Sequence, residues 1–186
     1  MFFVAMLTIT SAYGTTKNLL QNAGFEEQSP KTKFPMFWSK SSAYKGDISV
    51  ISDALEAYRG SFAVKVRSTN KDAAIQSRNE LRLNNKREIT ASVWAKGDGN
   101  FAIYCYLYGK RDFLGSLKTE VTEVKSAQWK KYEFTMKIPA EYGTPALKVL
   151  SFSPAFHVKK GTVFFDDAAI MLIDNDKKKN PRQTGE

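Results

Sequence analysis

Residues 87–108, REITASVWAKGDGNFAIYCYLY, carry the strongest structural signal in the chain. Side chains on an extended strand alternate between faces. Ile89, Ala91, Val93 and Ala95 therefore share one side, and Thr90, Ser92, Trp94 and Lys96 the other. Further on, Ile103, Cys105 and Leu107 oppose Tyr104, Tyr106 and Tyr108. The middle, Lys96-Gly97-Asp98-Gly99-Asn100, is rich in residues that accept positive φ. The spacing predicts a β-hairpin turning about Asp98, with Trp94 and Tyr104 on one face of the sheet. One face is plain aliphatic core. The other carries flat aromatic rings with polar edges, suited to a ligand that has both apolar faces and hydroxyls.

Outward from this segment, short alternating runs recur at 18–26, 47–52, 61–67, 73–83, 118–125, 129–138, 146–153 and 162–173. Most of the connections between them hold Gly, Pro, Asn, Asp or Ser. Only Ser52–Tyr58 offers a short helical run. Many strands without intervening helices predict an all-β domain, a sandwich or a barrel. The 186 residues suffice for one such domain with a sizeable core.

The net charge of +9 invites a polyanion partner. Its distribution argues against nucleic acid, because Lys177, Lys178, Lys179 and Arg182 cluster in a polar tail at 175–186 and the other cations are scattered. The opening MFFVAMLTITSAYG (1–14) is too short to span a bilayer and ends in small residues. It predicts a signal peptide, truncated at its start, and hence a secreted domain over 15–174; the alternative is a buried first strand. Cys105, the only cysteine, has no disulfide partner and falls on the core side.

Six motifs then occur in order: NLLQNAGFEE (18–27), FW (37–38), YRGSFAVKV (58–66), ITASVWAKG (89–97), WKKYEFTMKIP (129–139) and VFFDDAAIML (163–172). Together they resemble the family 4/9/22-type, CenC-like carbohydrate-binding modules. The resemblance covers about residues 18–173 and implies a two-sheet antiparallel β-sandwich, a galactose-binding-like jelly roll, with N- and C-terminal strands side by side. It also implies a structural Ca2+ near that junction, held by the Gly24 carbonyl, Glu26, backbone oxygens around Arg59–Ser61, and Asp166. Read from the residues alone, alternation sets Phe164, Asp166, Ala168, Ile170 and Leu172 on one face, so Asp166 points with core residues. A buried carboxylate must be paired or must bind a cation. Calcium takes such oxygens; a salt bridge or a rim position are the alternatives.

The resemblance implies a partner that is a polysaccharide or oligosaccharide. Trp94, at the aromatic position of the S-x-W-x-K motif, and Tyr104, Tyr106 and Tyr108 are the candidate sugar-binding residues, since aromatic planes cover the C–H faces of pyranose rings. Cross-strand packing of aromatics would leave the same sequence trace. Trp38 and Trp129 read as packing anchors. Ser151–His157 (SFSPAFH) reads as a loop at the sandwich rim. No catalytic motif accompanies the lone His157, so the chain is not expected to be an enzyme. Such modules normally serve an attached catalytic domain or a cell-surface protein. Two other readings stay open. One is a structural or adhesive jelly roll whose tyrosine face is flat, lacks polar groups and is sealed by a protein partner. The other is polyanion binding through the basic tail.

Overall fold

The computed structural model describes residues 17–41, 46–69, 71–83, 86–110 and 112–173. The proposed leader and the basic tail lie outside them. Eleven strands follow in order: β1 (Trp38–Lys40), β2 (Asp47–Ser52), β3 (Phe62–Ser68), β4 (Ala73–Ser77), β5 (Leu81–Arg82), β6 (Glu88–Tyr108), β7 (Phe113–Lys118), β8 (Thr122–Lys137), β9 (Glu141–Tyr142), β10 (Leu147–Lys148) and β11 (Ser151–Leu172). All pairings are antiparallel, and β9–β10 form a separate small ribbon. The described residues contain no helix; Ser52–Tyr58 makes only a turn, closed by the Ala57 amide on the Asp53 carbonyl.

The first correction concerns the opening stretch. It is no hairpin but one strand, β6, paired along nearly its whole length with β11. The glycine-rich centre bends the strand without reversing it. Flanking pairs show where the bend leads. The first half of β6 is bordered by β8, the second half mainly by β7; the first half of β11 meets β4 and β5, the second half β3. Hence β2-β3-β11-β6-β8 form one sheet and β1-β4-β11-β6-β7 the other, with β6 and β11 crossing the corner between them. Strands that switch sheets through bends are a known way to build such corners.

Ring contacts prove the fold-over. Phe156 and Phe165 lie nine residues apart on β11, about 30 Å if the strand were straight. Their centroids are 5.4 Å apart and stacked. Phe165 also meets Phe101 of β6 at 5.2 Å, and Trp38 stacks on Phe156 at 5.8 Å. Around this aromatic line pack Ile89, Val93, Ile103, Leu107 and Val163, all fully buried. The inward sets read from alternation on β6 hold on both sides of the bend.

The corner demands glycine at two points. Gly97 has φ +134° and Gly161 φ +78°. A β-carbon at Gly97 would collide with the Thr162 carbonyl, and one at Gly161 with the Asp98 carbonyl. Here β6 and β11 cross too closely for any side chain. A register shift between Val158 and Lys160 helps β11 turn.

Two further corrections follow. Residues 18–26 form no strand, although they do lie beside the C-terminal end of β11: Leu19 N donates to Ile170 O (2.9 Å) and Asn18 accepts from Ile170 N (3.0 Å). The stretch 151–157 is not a rim loop; it is the wholly buried start of β11.

Gly161→Val is expected to cost about 3 kcal/mol or more, from overpacking plus strain. Gly143, with φ +92° but nothing nearer to a β-carbon than 3.6 Å, should tolerate alanine for about 1–2 kcal/mol. Urea melts of the two variants give the comparison.

Candidate functional site

Because β6 bends while its parity is kept, Trp94 and Tyr104 do not share a face. They occupy opposite outer faces of the sandwich. Trp94 lies on the β2-β3-β11-β6-β8 side, where the 53–61 loop folds over it. Tyr58 stacks on Trp94 (3.8 Å, 14°), and Trp129 meets Tyr58 edge-on at 6.2 Å. Lys96 bonds Glu56 at 2.7 Å and sits over Trp129 at 5.0 Å; Trp129 Nε1 donates to the Glu56 carbonyl. Trp94 thus packs beneath a loop, away from the tyrosines.

That loop carries the cradle for Asp166. The carboxylate is fully buried, with Oδ2 accepting from Tyr58 N (2.9 Å) and Arg59 N (3.0 Å) and Oδ1 from Asp167 N (2.6 Å). Its burial was expected, but the reason differs. Val163 and Phe165 point inward, so Phe164 and Asp166 point outward, and Asp166 is covered by the loop. A bulge between Asp166 and Ala169, with Asp167 at φ +43°, then returns Ile170 to the core. Glu26 accepts from Ser61 N (3.1 and 3.0 Å) and Phe62 N (3.1 Å). A β-carbon on Gly24 would lie 3.8 Å from Glu26 Cγ and 3.9 Å from Asp166 Oδ1. The structure therefore brings Gly24, Glu26, Ser61 and Asp166 together, with the amide of Ser61 facing Glu26. Burial and the neighbouring Asp167 raise the Asp166 pKa to about 6, against the lowering effect of its amide donors. Among the described residues no lysine or arginine forms an ion pair with Asp166; Arg59 pairs with Asp167 at 3.4 Å instead.

The opposite face holds the three tyrosines. Their neighbours on β11, Ser151, Ser153 and Ala155, also point outward yet are buried. Small side chains there let the rings lean over the strand, and two of the hydroxyls are tied down beyond. Lys159 Nζ donates to Tyr104 OH at 2.8 Å, and Tyr106 OH and His157 Nε2 share a bond of 2.7 Å. Tyr104 stacks on the His157 ring (3.9 Å, 23°) and lies 6.3 Å from Tyr106. Phe113 of β7, 60% exposed, stands against Tyr106 and Tyr108 at 6.0 and 5.8 Å. The result is an aromatic platform with its polar atoms turned down and one apolar wall.

The rim of the platform is polar. Cross-strand register puts Lys118 and Ser116 beside Tyr104 and Tyr106, and Arg82 beyond Ser151. Glu80 accepts from Ser151 Oγ at 2.5 Å, and Gln76 Nε2 donates to Ser153 Oγ at 3.2 Å. A face built only to seal against another protein was expected to lack such groups. His157 is noted in the sequence as part of a rim segment, but the Phe113 wall and the Lys159–Asp72 pair have no sequence signal of their own, since they depend on which strands become neighbours. For a strand at 151–157, the apolar-small alternation Phe152, Pro154, Phe156 against Ser151, Ser153, Ala155 was the available signal.

With that geometry in place, comparison decides the family. Residues 17–154 match the carbohydrate binding domain family CBM_4_9. The chain belongs to that family. Its function class is carbohydrate binding by a β-sandwich module. No curated protein sequence matches the chain. Among solved structures, TmCBM61 in complex with β-1,4-galactotriose is similar at TM-score 0.50 and 20% identity, over 85% of this chain and 100% of that one. The CBM22-1 xylan-binding domain from Paenibacillus barcinonensis Xyn10C gives 0.56 and 15%, over 88% and 99%. A cyclase from Fischerella sp. TAU gives 0.52 and 16%, over 82% and 94%. At these identities the likeness extends to the jelly-roll fold.

His157 has a testable signature. Burial and the Lys159 charge lower its pKa to about 4, against the opposing pull of Asp72. The groups facing it are Asp72, Lys159, Tyr104 and Tyr106. Between pH 6.5 and 4 the unfolded chain takes up a proton that the folded chain refuses. Stability from this residue is therefore complete above pH 6.5 and falls by about 3 kcal/mol on acidification to pH 4. His157→Gln should flatten the pH dependence of the melting temperature in that window; an unchanged slope would refute the assignment.

Proposed function

We propose that the protein binds a polysaccharide on the Tyr104–Tyr106–Tyr108 face, by stacking of sugar rings and hydrogen bonds from the rim. The observation that carries this reading is the anchoring of two of the three hydroxyls, Tyr104 to Lys159 and Tyr106 to His157. Anchored rings lose little freedom on binding, so contact with a C–H face is spent on affinity rather than on ordering. Among the described residues no loop contact covers the half-exposed tyrosines along β6, which suits a chain more than a single sugar. Trp94 belongs to the opposite side and plays no part in the contact. The module acts outside the cytoplasm and performs no chemistry of its own. Cys105 offers no nucleophile, since burial pushes its thiol pKa far up. No helix among the described residues is long and apolar enough to cross a membrane. An attached catalytic domain or a surface protein is the partner it would serve, by holding its neighbour near substrate.

Affinity electrophoresis against plant, algal and bacterial polysaccharides tests the reading. Tyr106→Ala should weaken binding at least tenfold, about 1.4 kcal/mol, while Trp94→Ala should leave it unchanged and lower stability. Loss of binding with Trp94→Ala alone would move the site to the other face.

The cradle supports a second element of the proposal, a structural Ca2+. The side-chain donors fit in kind: two carboxylates, Glu26 and Asp166, the latter fully buried with no cationic side chain bonded to it among the described residues. The 59–62 backbone turns amide N–H groups toward them where oxygens were expected. Glu26 and Asp166 would hold the ion, next to Gly24 and Ser61. When bound it would neutralise their charge and join the 18–27 segment, the 53–61 loop and β11. Removal of calcium with EDTA is expected to lower the melting temperature by several degrees, on the order of 1–3 kcal/mol. Asp166→Asn should abolish that response. A melting temperature indifferent to chelator would mean that backbone amides alone satisfy the cradle.

A further inference from the structure

At one end of the tyrosine platform the sandwich edge carries a shallow, solvent-open depression. A cavity of about 560 Å3 opens between the N-terminal run and the β4–β5 turn, lined by Leu19, Gln21, Arg78, Asn79, Glu80 and Leu81. Ligand cavities commonly span roughly 300–1,000 Å3. This one is contiguous with the platform: Glu80 accepts from Ser151 Oγ, and Ser151 is the register partner of Tyr108. A glycan that runs over Tyr104 and Tyr106 and past Tyr108 therefore meets the cavity next.

We propose that this cavity is an end subsite for one uncharged sugar residue of the bound glycan. The inference rests on the platform reading above and names what lies beyond it. Its lining explains the ligand class. Arg78 and Glu80 bring one positive and one negative group, both exposed. The two charges offset, so neither an acidic nor a basic sugar gains a net attraction there. A neutral pyranose satisfies both, one hydroxyl donating to the carboxylate and its neighbour accepting from the guanidinium. Asn79 and Gln21 hydrogen-bond each other through Nδ2 and Oε1. That bond fixes both amides while leaving the Asn79 oxygen and the Gln21 nitrogen to turn toward a hydroxyl. Leu19 and Leu81 supply apolar contact for the C–H face. Leu19 is itself fixed by its amide bond to the Ile170 carbonyl, and Asn79 N is fixed on Ser77 Oγ at 3.3 Å. A groove with a stacking platform and a polar end reads a glycan with direction, because its two termini meet different chemistry.

Calorimetry with β-1,4-linked xylo-, gluco- and galacto-oligosaccharides of two to six residues is the test. For the series that binds, affinity should climb with length until the cavity is filled. Asn79→Ala and Arg78→Met should each remove the last increment, weakening the longest ligand five- to tenfold while leaving the shortest unchanged. Tyr106→Ala should weaken every length. If both cavity variants bind the hexasaccharide as the parent does, while Tyr106→Ala remains impaired, the end subsite is refuted and the platform stands. If Tyr106→Ala matches the parent, or no series binds, the platform itself is refuted and the subsite with it. Melting temperatures of Arg78→Met within a degree of the parent would show that its effect is on binding.

Discussion

The sandwich depends on one crossing. Two long strands, β6 and β11, are paired nearly end to end and must both fold over the core at the same place. They can do so because glycine stands at 97 and 161, where each backbone passes against a carbonyl of the other strand. The fold-over brings Phe156 onto Phe165 within one strand, and from there the aromatic line reaches Trp38 on one side and Phe101 on the other. Remove the bend and the same residues would make a long flat ribbon with no interior. Burial of the aliphatic faces of both halves follows from the crossing.

The crossing also explains why a chain with one continuous aromatic-rich strand has two unlike surfaces. The outward residues before the bend face one way and those after it the other. Before the bend, Trp94 and Lys96 are absorbed by the 53–61 loop, whose amides serve Asp166. After it, the tyrosines have no loop above them among the described residues and rest instead on the small side chains of β11. The sugar binding we propose therefore falls on the second surface, while the first is occupied in holding the loop and the N-terminal segment together.

Much of this was legible in the residues. Alternation identified the inward set Ile89, Ala91, Val93, Ala95, Ile103, Cys105 and Leu107, and all are buried. Six ordered motifs pointed to the jelly roll, and the family match agrees. The gathering of Gly24, Glu26, Ser61 and Asp166 was also in reach. What misled was the glycine-rich centre at 96–100, because positive-φ residues serve a tight turn and a strand corner equally well. A local pattern states that the chain changes direction, while the partner strand decides by how much. The same limit hid the parity of Asp166, since a single-residue bulge is invisible to alternation. It hid the role of 151–157 as well, where serine and proline suggested a loop and the tyrosine rings above them supplied the burial.

The separation of the aromatic residues has an optical consequence. All three tryptophans lie away from the platform: Trp38 in the core, Trp94 and Trp129 under and beside the 53–61 loop. Indole emission in this protein is therefore a probe of the interior and of the Asp166 cradle, whereas the face proposed to bind ligand is lit only by phenol groups. A titration followed by tryptophan fluorescence would stay dark to a bound glycan, and tyrosine ultraviolet difference spectra are the signal native to the site.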